Sequence, residues 1–509
     1  MNPATLLLTA LPALAAFYWY YTGQRLTAQY PPGPRPDPII GNLRHMQFKW
    51  MYKLFAEWTK VCKSDVIHVS LFGRSIIFLN SYKACSDLLD KRSTIYSDRP
   101  RVPMVGELMG FSWVTLFTNY GPEHRKNRQL THHALSTTAI RTYVPMIQHW
   151  IMQFLHDSLV DPQADMAPRV RELSSVITME LCYGHDVASR ESGRFTALAE
   201  EGVFRFQIGV SGGYLVDFIP ALKYLPAWLP GTRFLQVAKD AQPVASDMLD
   251  MPFDAVKESM AAGTSDVSFT HTLLAEKGAI TGDSDEEELI KRNAATLFGA
   301  GADTPISTLM SFILAMTLYP EVQRKAQEEI ERVVGTDRLP DMSDRPNLPY
   351  IEAIVKETLR WNPAAPMGSP HRLREDDVYN GYLIPKDATI FTNVWAIMHD
   401  EEEYYQSFDF IPERFLVENP PRDPWLSAFG FGRRICPGIA FVSVLEYLFI
   451  AQTLAVFKIE KAVDADGKPK EPHVVYTPGV ISHPSAFECK MAPRSERAAK
   501  LVNVGDFLP

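Results

Sequence analysis

No C-x-x-C pair occurs in this chain, and its five cysteines, Cys62, Cys85, Cys182, Cys436 and Cys489, are odd in number and far apart. Neither a zinc site nor a disulfide framework is indicated, and a reducing compartment fits that usage. Positive charge is in deficit. With 51 Lys and Arg against 60 Asp and Glu the formal net charge is -9. The basic stripe of a nucleic-acid binder is missing, and no nucleic-acid partner is expected. Low-complexity blocks, internal repeats and interior Pro/Gly/Ser linkers are missing too. One large mixed domain is therefore expected from the 509 residues, although ~150 residues per domain would suggest about three.

Charge is also absent from residues 1–24, within which Ala4 to Tyr21 forms an apolar run of 18 residues. That approaches the ~20 residues needed to cross a bilayer. Tyr18, Trp19, Tyr20 and Tyr21 crowd its end like an interfacial belt, and Arg25 and Arg35 follow it. The expectation is a single-pass anchor over 1–24, in the endoplasmic reticulum membrane, with the body facing the cytosol. A cleaved signal peptide is the alternative, since Ala13-Leu14-Ala15 resembles a cleavage site, but a basic n-region is lacking. The segment PPGPRPDP (31–38) holds five prolines in eight residues. It is expected to be a stiff extended spacer, giving a hinge over 25–40 and a catalytic body over 41–509.

The body reads as α+β with helix predominating. Helices are expected near 53–60, 82–92 and through most of 122–335. Strands are expected at Val66–Val69, Ser75–Leu79, Asp377–Tyr382 and Ala388–Asn393 and near the C-terminus. A long helix over 285–317 starts on Asp285 to Glu288, where the helix dipole favours acids, with Ser284 and Glu287 as a capping box. Its centre, LFGAGADTPIST, is rich in small residues that would let a flat group lie close to the backbone. Ile439 to Phe457 carries one charge, Glu446, and looks like a second membrane span; it is expected to be a buried core helix.

The chemistry concentrates in FGFGRRICPG, Phe429 to Gly438. Pro437 favours the first turn of a helix, so Cys436 is expected at a helix N-terminus, where free N–H groups and the dipole stabilise a thiolate. Gly432 and Gly438 would let the backbone approach a planar ligand, Arg434 would pair with an anionic group of it, and Phe429 would pack beside the sulfur. The pattern Phe-x-x-Gly-x-Arg-x-Cys-x-Gly is met at every fixed position. It resembles the signature of the cytochrome P-450 family. That resemblance covers the chain from anchor to C-terminus and implies a mainly helical fold with small sheets, heme b ligated by Cys436, and monooxygenase activity.

Further motifs carry the same resemblance. Glu357 and Arg360 stand at i and i+3, and Arg414 in FIPERF resembles the second arginine of the family's Glu-Arg-Arg triad, which implies a structural role. Asp303 and Thr304, inside Ala300–Thr304, resemble the acid–alcohol pair that delivers protons to dioxygen; the alternative is a threonine bonded back to the helix carbonyls. In YGPEHRKNR the family usually has tryptophan where His124 stands, so that contact is in doubt, whereas Arg128 fits as a propionate partner. Arg372, after Pro370, is a further expected partner by family position.

The implied reaction is insertion of one oxygen atom from O2 into a lipophilic small molecule, with electrons from NADPH through an NADPH-cytochrome reductase, and cytochrome b5 as an optional second donor. The style of LKYLPAWLPG, DVYNGYLIPK and HPSAFECKMAPRSE resembles fungal enzymes of secondary metabolism, which implies a terpenoid or related scaffold. The alternatives are hydroxylation of an indole-type amine, for which Glu107 and Asp217 stand ready, and a reductase-independent rearrangement or peroxide-using enzyme. The pocket is expected between Val102–Phe117, Phe204–Tyr214, Leu297, Ala300, Ala364–Gly368 and Gly479–Ile481. Arg125, Lys126, Arg128, Arg422, Arg433 and Arg434 are expected near the reductase-docking face. Pro305 cannot donate to the Gly301 carbonyl and crowds it, so a kink or widening with that carbonyl free is expected.

Overall fold

The computed structural model describes residues 29–502 apart from Phe48, Gly212 and 278–284. The expected anchor and the Ser284 capping box lie outside the described residues. Numbering only helices of nine or more residues, α1 is Met51–Cys62, α2 Pro122–Leu135, α3 Thr137–Val160, α4 Met166–Tyr183, α5 His185–Ser211 and α6 Arg233–Ala262. They continue with α7 Phe269–Lys277, α8 Asp285–Leu318, α9 Pro320–Val333, α10 Pro349–Trp361 and α11 Ile439–Val456. The strands are β1 Val66–Leu71, β2 Arg74–Leu79, β3 His371–Arg372, β4 Asp377–Tyr379, β5 Tyr382–Ile384, β6 Thr389–Thr392, β7 Phe457–Lys461 and β8 Cys489–Pro493. This is the mainly helical architecture expected.

Helix α8 runs through the main core, with α4, α6, α9, α10 and α11 contributing to the same apolar cluster. From Leu445 to Val456 every residue of α11 is buried, so the second membrane-like stretch is core. Its one acid obeys the same rule: burial pushes Glu446 up to about 8, which favours the uncharged form at neutral pH. Helix α10 opens on Pro349, and its free N–H groups at Tyr350 and Ile351 are taken by the Glu329 carboxylate of α9 at 3.0 and 3.1 Å.

One four-stranded sheet has the order β1-β2-β6-β3, with β2 and β6 parallel and the other pairs antiparallel. The strand expected over 377–382 is instead the hairpin β4–β5. Asn380 (φ 52°) and Gly381 (φ 83°) both take the left-handed conformation of a two-residue hairpin turn, a signal the alternation pattern hid. The helix expected over 82–92 is a four-residue helix, Tyr82–Cys85, that runs into a π-helical turn, Ser86–Asp90.

The proline-rich segment is extended but docked. Pro32 O accepts the His68 N–H at 3.0 Å, and the Tyr30 ring stacks on His68 at 4.8 Å. A Cβ at Gly33 would lie 1.9 Å from the His68 carbonyl, so only glycine allows that approach.

Helix α8 continues unbroken through Pro305. Contrary to the expectation from sequence, the Gly301 carbonyl that the proline leaves without its helical donor is not free: Ser174 of α4 donates its hydroxyl to it at 2.8 Å. Gly301 is small for the same contact, because a Cβ there would stand 2.5 Å from Thr178 Cγ2. The glycine serves helix packing.

Candidate functional site

The loop before α11 turns on glycines. Gly430 (φ 81°) and Gly432 (φ 57°) are left-handed, and a Cβ on Gly432 would lie 2.1 Å from the Leu89 carbonyl. Its close approach is thus to the protein's own backbone. Cys436 N donates to Phe429 O at 2.8 Å, closing the loop and presenting the sulfur two residues before Gly438, the N-cap of α11. The Phe429 ring stacks on Trp425 at 5.0 Å. Burial pushes the Cys436 thiol above its ordinary value, against the Gly438 N–H and the Arg128 guanidinium, which draw it down. The helix terminus alone therefore does not make a thiolate; a metal ion at the sulfur would, since a coordinating thiol is deprotonated outright.

Around this loop lies a collar of basic side chains held by neutral carbonyls. Arg434 donates to Ser97 O and Thr118 O at 2.7 and 2.6 Å, and Arg128 to Ile435 O at 2.8 Å. Arg99 donates to Ser369 O and Pro370 O at 2.9 and 2.6 Å. The His371 ring meets Tyr96 O at 2.8 Å through Nδ1. His124 is buried with its Nδ1 unpartnered among the described residues.

Burial, and then repulsion from Arg434, pulls Arg99 down to about 9 and His124 to about 4; Arg434 itself falls to about 10, chiefly by burial. Burial and the charge of Arg99 hold His371 well below its ordinary value. The acid beside them, Asp98, is already committed to Arg372 and Arg374. Buried positive groups facing one another are costly unless an anion is shared between them. A flat dianionic cofactor with a thiolate-ligated metal, such as heme with its two propionates, fits that donor set.

Sequence reasoning placed His124, Arg128 and Arg434 here and missed Arg99 and His371. Arg372 is engaged by acids: its guanidinium meets Asp98 at 3.2 Å and Asp387 at 3.1 Å, while its buried Nε has no partner among the described residues. Neighbouring residues of a strand face opposite ways, and the two-residue strand β3, paired to β6 at His371 and Ile390, turns His371 toward the collar.

Glu357, Arg360 and Arg414 form a separate buried triad, with Arg360 Nε at 2.7 Å and Arg414 Nε at 3.2 Å from Glu357. Its members bond to each other and to the carbonyls of Met398, Tyr405, Ser407 and Asp409, the structural role expected.

The sequence model of the family described as Cytochrome P450 matches residues 31–491. The chain belongs to the cytochrome P450 family. This cytochrome P450 is 41% identical to cytochrome P450 monooxygenase claR of Ampulloclitocybe clavipes, over 94% of this chain and 89% of that one. It is 39% identical to cytochrome P450 monooxygenase 208 of Postia placenta, over 98% and 96%, and 37% identical to ppsD of Aspergillus oryzae, over 97% and 95%. The family is one of oxidoreductases that bind heme b through a cysteine thiolate.

On the other side of the P450 cleft lies α8. Thr304 Oγ1 donates back to Ala300 O at 2.9 Å, while Asp303 is held by Gln207 Nε2 at 2.9 Å and lies 3.2 Å from His483 Nε2. Two of the expected pocket walls, Val102–Phe117 and Phe204–Tyr214, meet: Phe206 packs on Phe111 and Phe117 at 5.6 and 5.7 Å, within an apolar cluster that includes Val105, Met109 and Ala295. Phe204 is the exception, more than half exposed. Glu107 is paired to Arg101 and Lys223, which hold it down to about 2. Asp217 accepts the Met104 N–H at 2.8 Å.

Proposed function

We propose that this P450 inserts one oxygen atom from O2 into a lipophilic secondary-metabolite scaffold, terpenoid in character, with electrons from NADPH through a flavoprotein reductase. The observation that carries the cofactor assignment is the collar around the loop of Cys436, made of buried Arg99, His124 and His371 and half-buried Arg128 and Arg434, whose one neighbouring acid among the described residues, Asp98, is already paired. Cys436 would ligate the iron. Arg99, Arg128, His371 and Arg434 would hold the propionates, with His124 donating a hydrogen bond, and Phe429 would brace the loop from its stack on Trp425. The bound heme supplies activation of O2, its thiolate pushing electron density that favours O–O cleavage.

The chain's own residues do the rest. The apolar walls exclude water from the reacting carbon. Asp303 and Thr304 carry protons to the developing charge on oxygen, the hydroxyl of Thr304 leaving Ala300 O to do so. Glu107 and Asp217 are both engaged within the protein, which favours a neutral substrate over a cationic amine. Exposed Arg125, Lys126 and Arg433 near the thiolate loop support docking of an acidic reductase, with charge setting mainly the association rate. Exposed Leu215, Ile219, Tyr224, Leu225 and Trp228 support a monotopic membrane contact beside an N-terminal anchor.

The test is membranes carrying the full chain, given NADPH and reductase with terpenoid and indole-amine scaffolds, scored by NADPH consumed per product. Reductase-dependent, one-to-one turnover of a terpenoid is expected; turnover of the amine alone, or with peroxide and no reductase, would overturn it. Thr304→Ala should keep electron uptake but divert it to peroxide. Asp303→Asn should instead slow turnover.

A further inference from the structure

Along α8, Asp303, Ser307 and Ser311 recur at i, i+4 and i+8, one stripe of one helix face. All three meet the same C-terminal segment. His483 Nε2 lies 3.2 Å from Asp303 Oδ1, Ser307 Oγ donates to Ser482 O at 2.5 Å, and Tyr476 OH donates to Ser311 Oγ at 3.2 Å. The segment is also closed on itself and on its neighbour. Thr477 N donates to His483 O at 2.8 Å, His483 N to Thr477 Oγ1 at 3.0 Å, and Ser482 N to Ala364 O at 2.8 Å. His483 is therefore fixed through its backbone, and the fold delivers its ring to the acid.

The two partners of Asp303 differ in chemistry. Gln207 offers an amide N–H that is never released, whereas an imidazole nitrogen can both accept and donate a proton. The buried Nδ1 of His483 has no partner among the described residues, so no second hydrogen bond locks the ring in one tautomer.

We propose that His483 is a further positioning residue of this enzyme, orienting the Asp303 carboxylate and replenishing its proton. The proposal rests on the reading of Asp303 as the proton-delivering acid. The imidazolium passes its Nε2 proton to Asp303 Oδ1, leaving a neutral imidazole and a carboxylic acid. Asp303 gives that proton onward to the oxygen being reduced and returns to carboxylate. A hydronium ion from solvent then reprotonates the vacated nitrogen and leaves water, so no charge accumulates over the cycle.

The deciding variant is His483→Gln in the full-length, heme-loaded enzyme with its reductase, because a glutamine amide can still donate to Asp303 but cannot pass a proton. Substrate binding, read from the heme spectrum, should stay within about twofold. kcat should fall roughly tenfold, short of the ~10²-fold attached to a direct acid, and the solvent deuterium isotope effect on kcat should rise. Wild-type rate and isotope effect in H483Q would overturn the proposal. Gln207→Met, which removes the partner that does not titrate, should lose no more than about threefold and keep the wild-type isotope effect. A raised isotope effect in Q207M would overturn it as well, even where H483Q fails to take up heme. Asp303→Asn at full rate would mean the underlying reading fails, while a slow D303N beside a full-rate H483Q would fail this inference alone.

Discussion

On the thiolate side, Arg360 makes five hydrogen bonds, two to Glu357 and three to carbonyls within a short stretch of neighbouring loop. On the α8 side, Asp303 is held by one side chain from α5 and one from the C-terminal segment, and the Thr304 hydroxyl only bonds back to its own helix. The first arrangement is fully satisfied and closed, and moving any member leaves a buried charge exposed to nothing. The second is sparsely bonded to the walls of the substrate pocket, where a hydroxyl can change partners for about 1 kcal/mol. Rigidity is spent in the closed triad, and freedom is left at the pair proposed to carry protons.

That contrast is broken most directly at the sulfur. Cys436→Ala should abolish turnover and remove the long-wavelength Soret band of the ferrous carbon monoxide complex. A variant that keeps the band would mean the ligand lies elsewhere. Next comes the triad: Glu357→Gln leaves Arg360 and Arg414 buried without a counter-charge, which should cost about 3–5 kcal/mol in a denaturant titration of the holoenzyme. A loss under 1 kcal/mol would show that the closed network is dispensable.

The collar gives a smaller and more selective effect. His371→Leu should speed heme release about tenfold, the ~1.4 kcal/mol of one charge-assisted hydrogen bond. Arg372→Leu, whose ion pairs are part-exposed, should change it by less than about twofold. The reverse order, measured by heme transfer to an apo-globin acceptor, would return the propionate contact to Arg372.

The last effect, at the carboxyl that accepts the Met104 N–H, depends on pH. Burial raises Asp217 to about 6, against 3.8 for the free group. Between those values the folded state holds a proton that the unfolded state has lost, so stability falls as pH rises through that window and levels off above it. Asp217→Asn should therefore gain about 3 kcal/mol at pH 8 and about 0.5 kcal/mol at pH 4. An equal gain at both pH values would mean that the carboxyl is not buried in solution.

The legibility of the chain follows the range of its contacts. Cys436, Arg434 and the glycines between 430 and 438 act within one loop, and their spacing states the geometry they need. Glu357 and Arg360 are one helical turn apart, so their pairing was readable, as were the acidic start of α8 and the apolar length of α11. Two readings failed locally, the strand expected through Asn380-Gly381 and the helix expected over 82–92. At the site, the deciding contact lay outside the window that was read. The Gly301 carbonyl was expected free because its helix offers no donor, and Ser174, 127 residues away, supplies one. Arg372 and His371 differ by one position, and only the pairing of β3 with β6 decides which of them faces the collar.

By itself, then, the sequence determined the thiolate loop, the triad's ion pair along α10, the helical class and the position of the acid–alcohol pair, because each depends on spacing along a single element. Tertiary structure alone decided what those groups touch. Arg99 and His371 joined the collar, Ser174 took the Gly301 carbonyl, and Gln207 and His483 took Asp303. The reason is physical: a buried polar group must find a partner wherever packing brings one, and packing joins residues without regard to their distance along the chain.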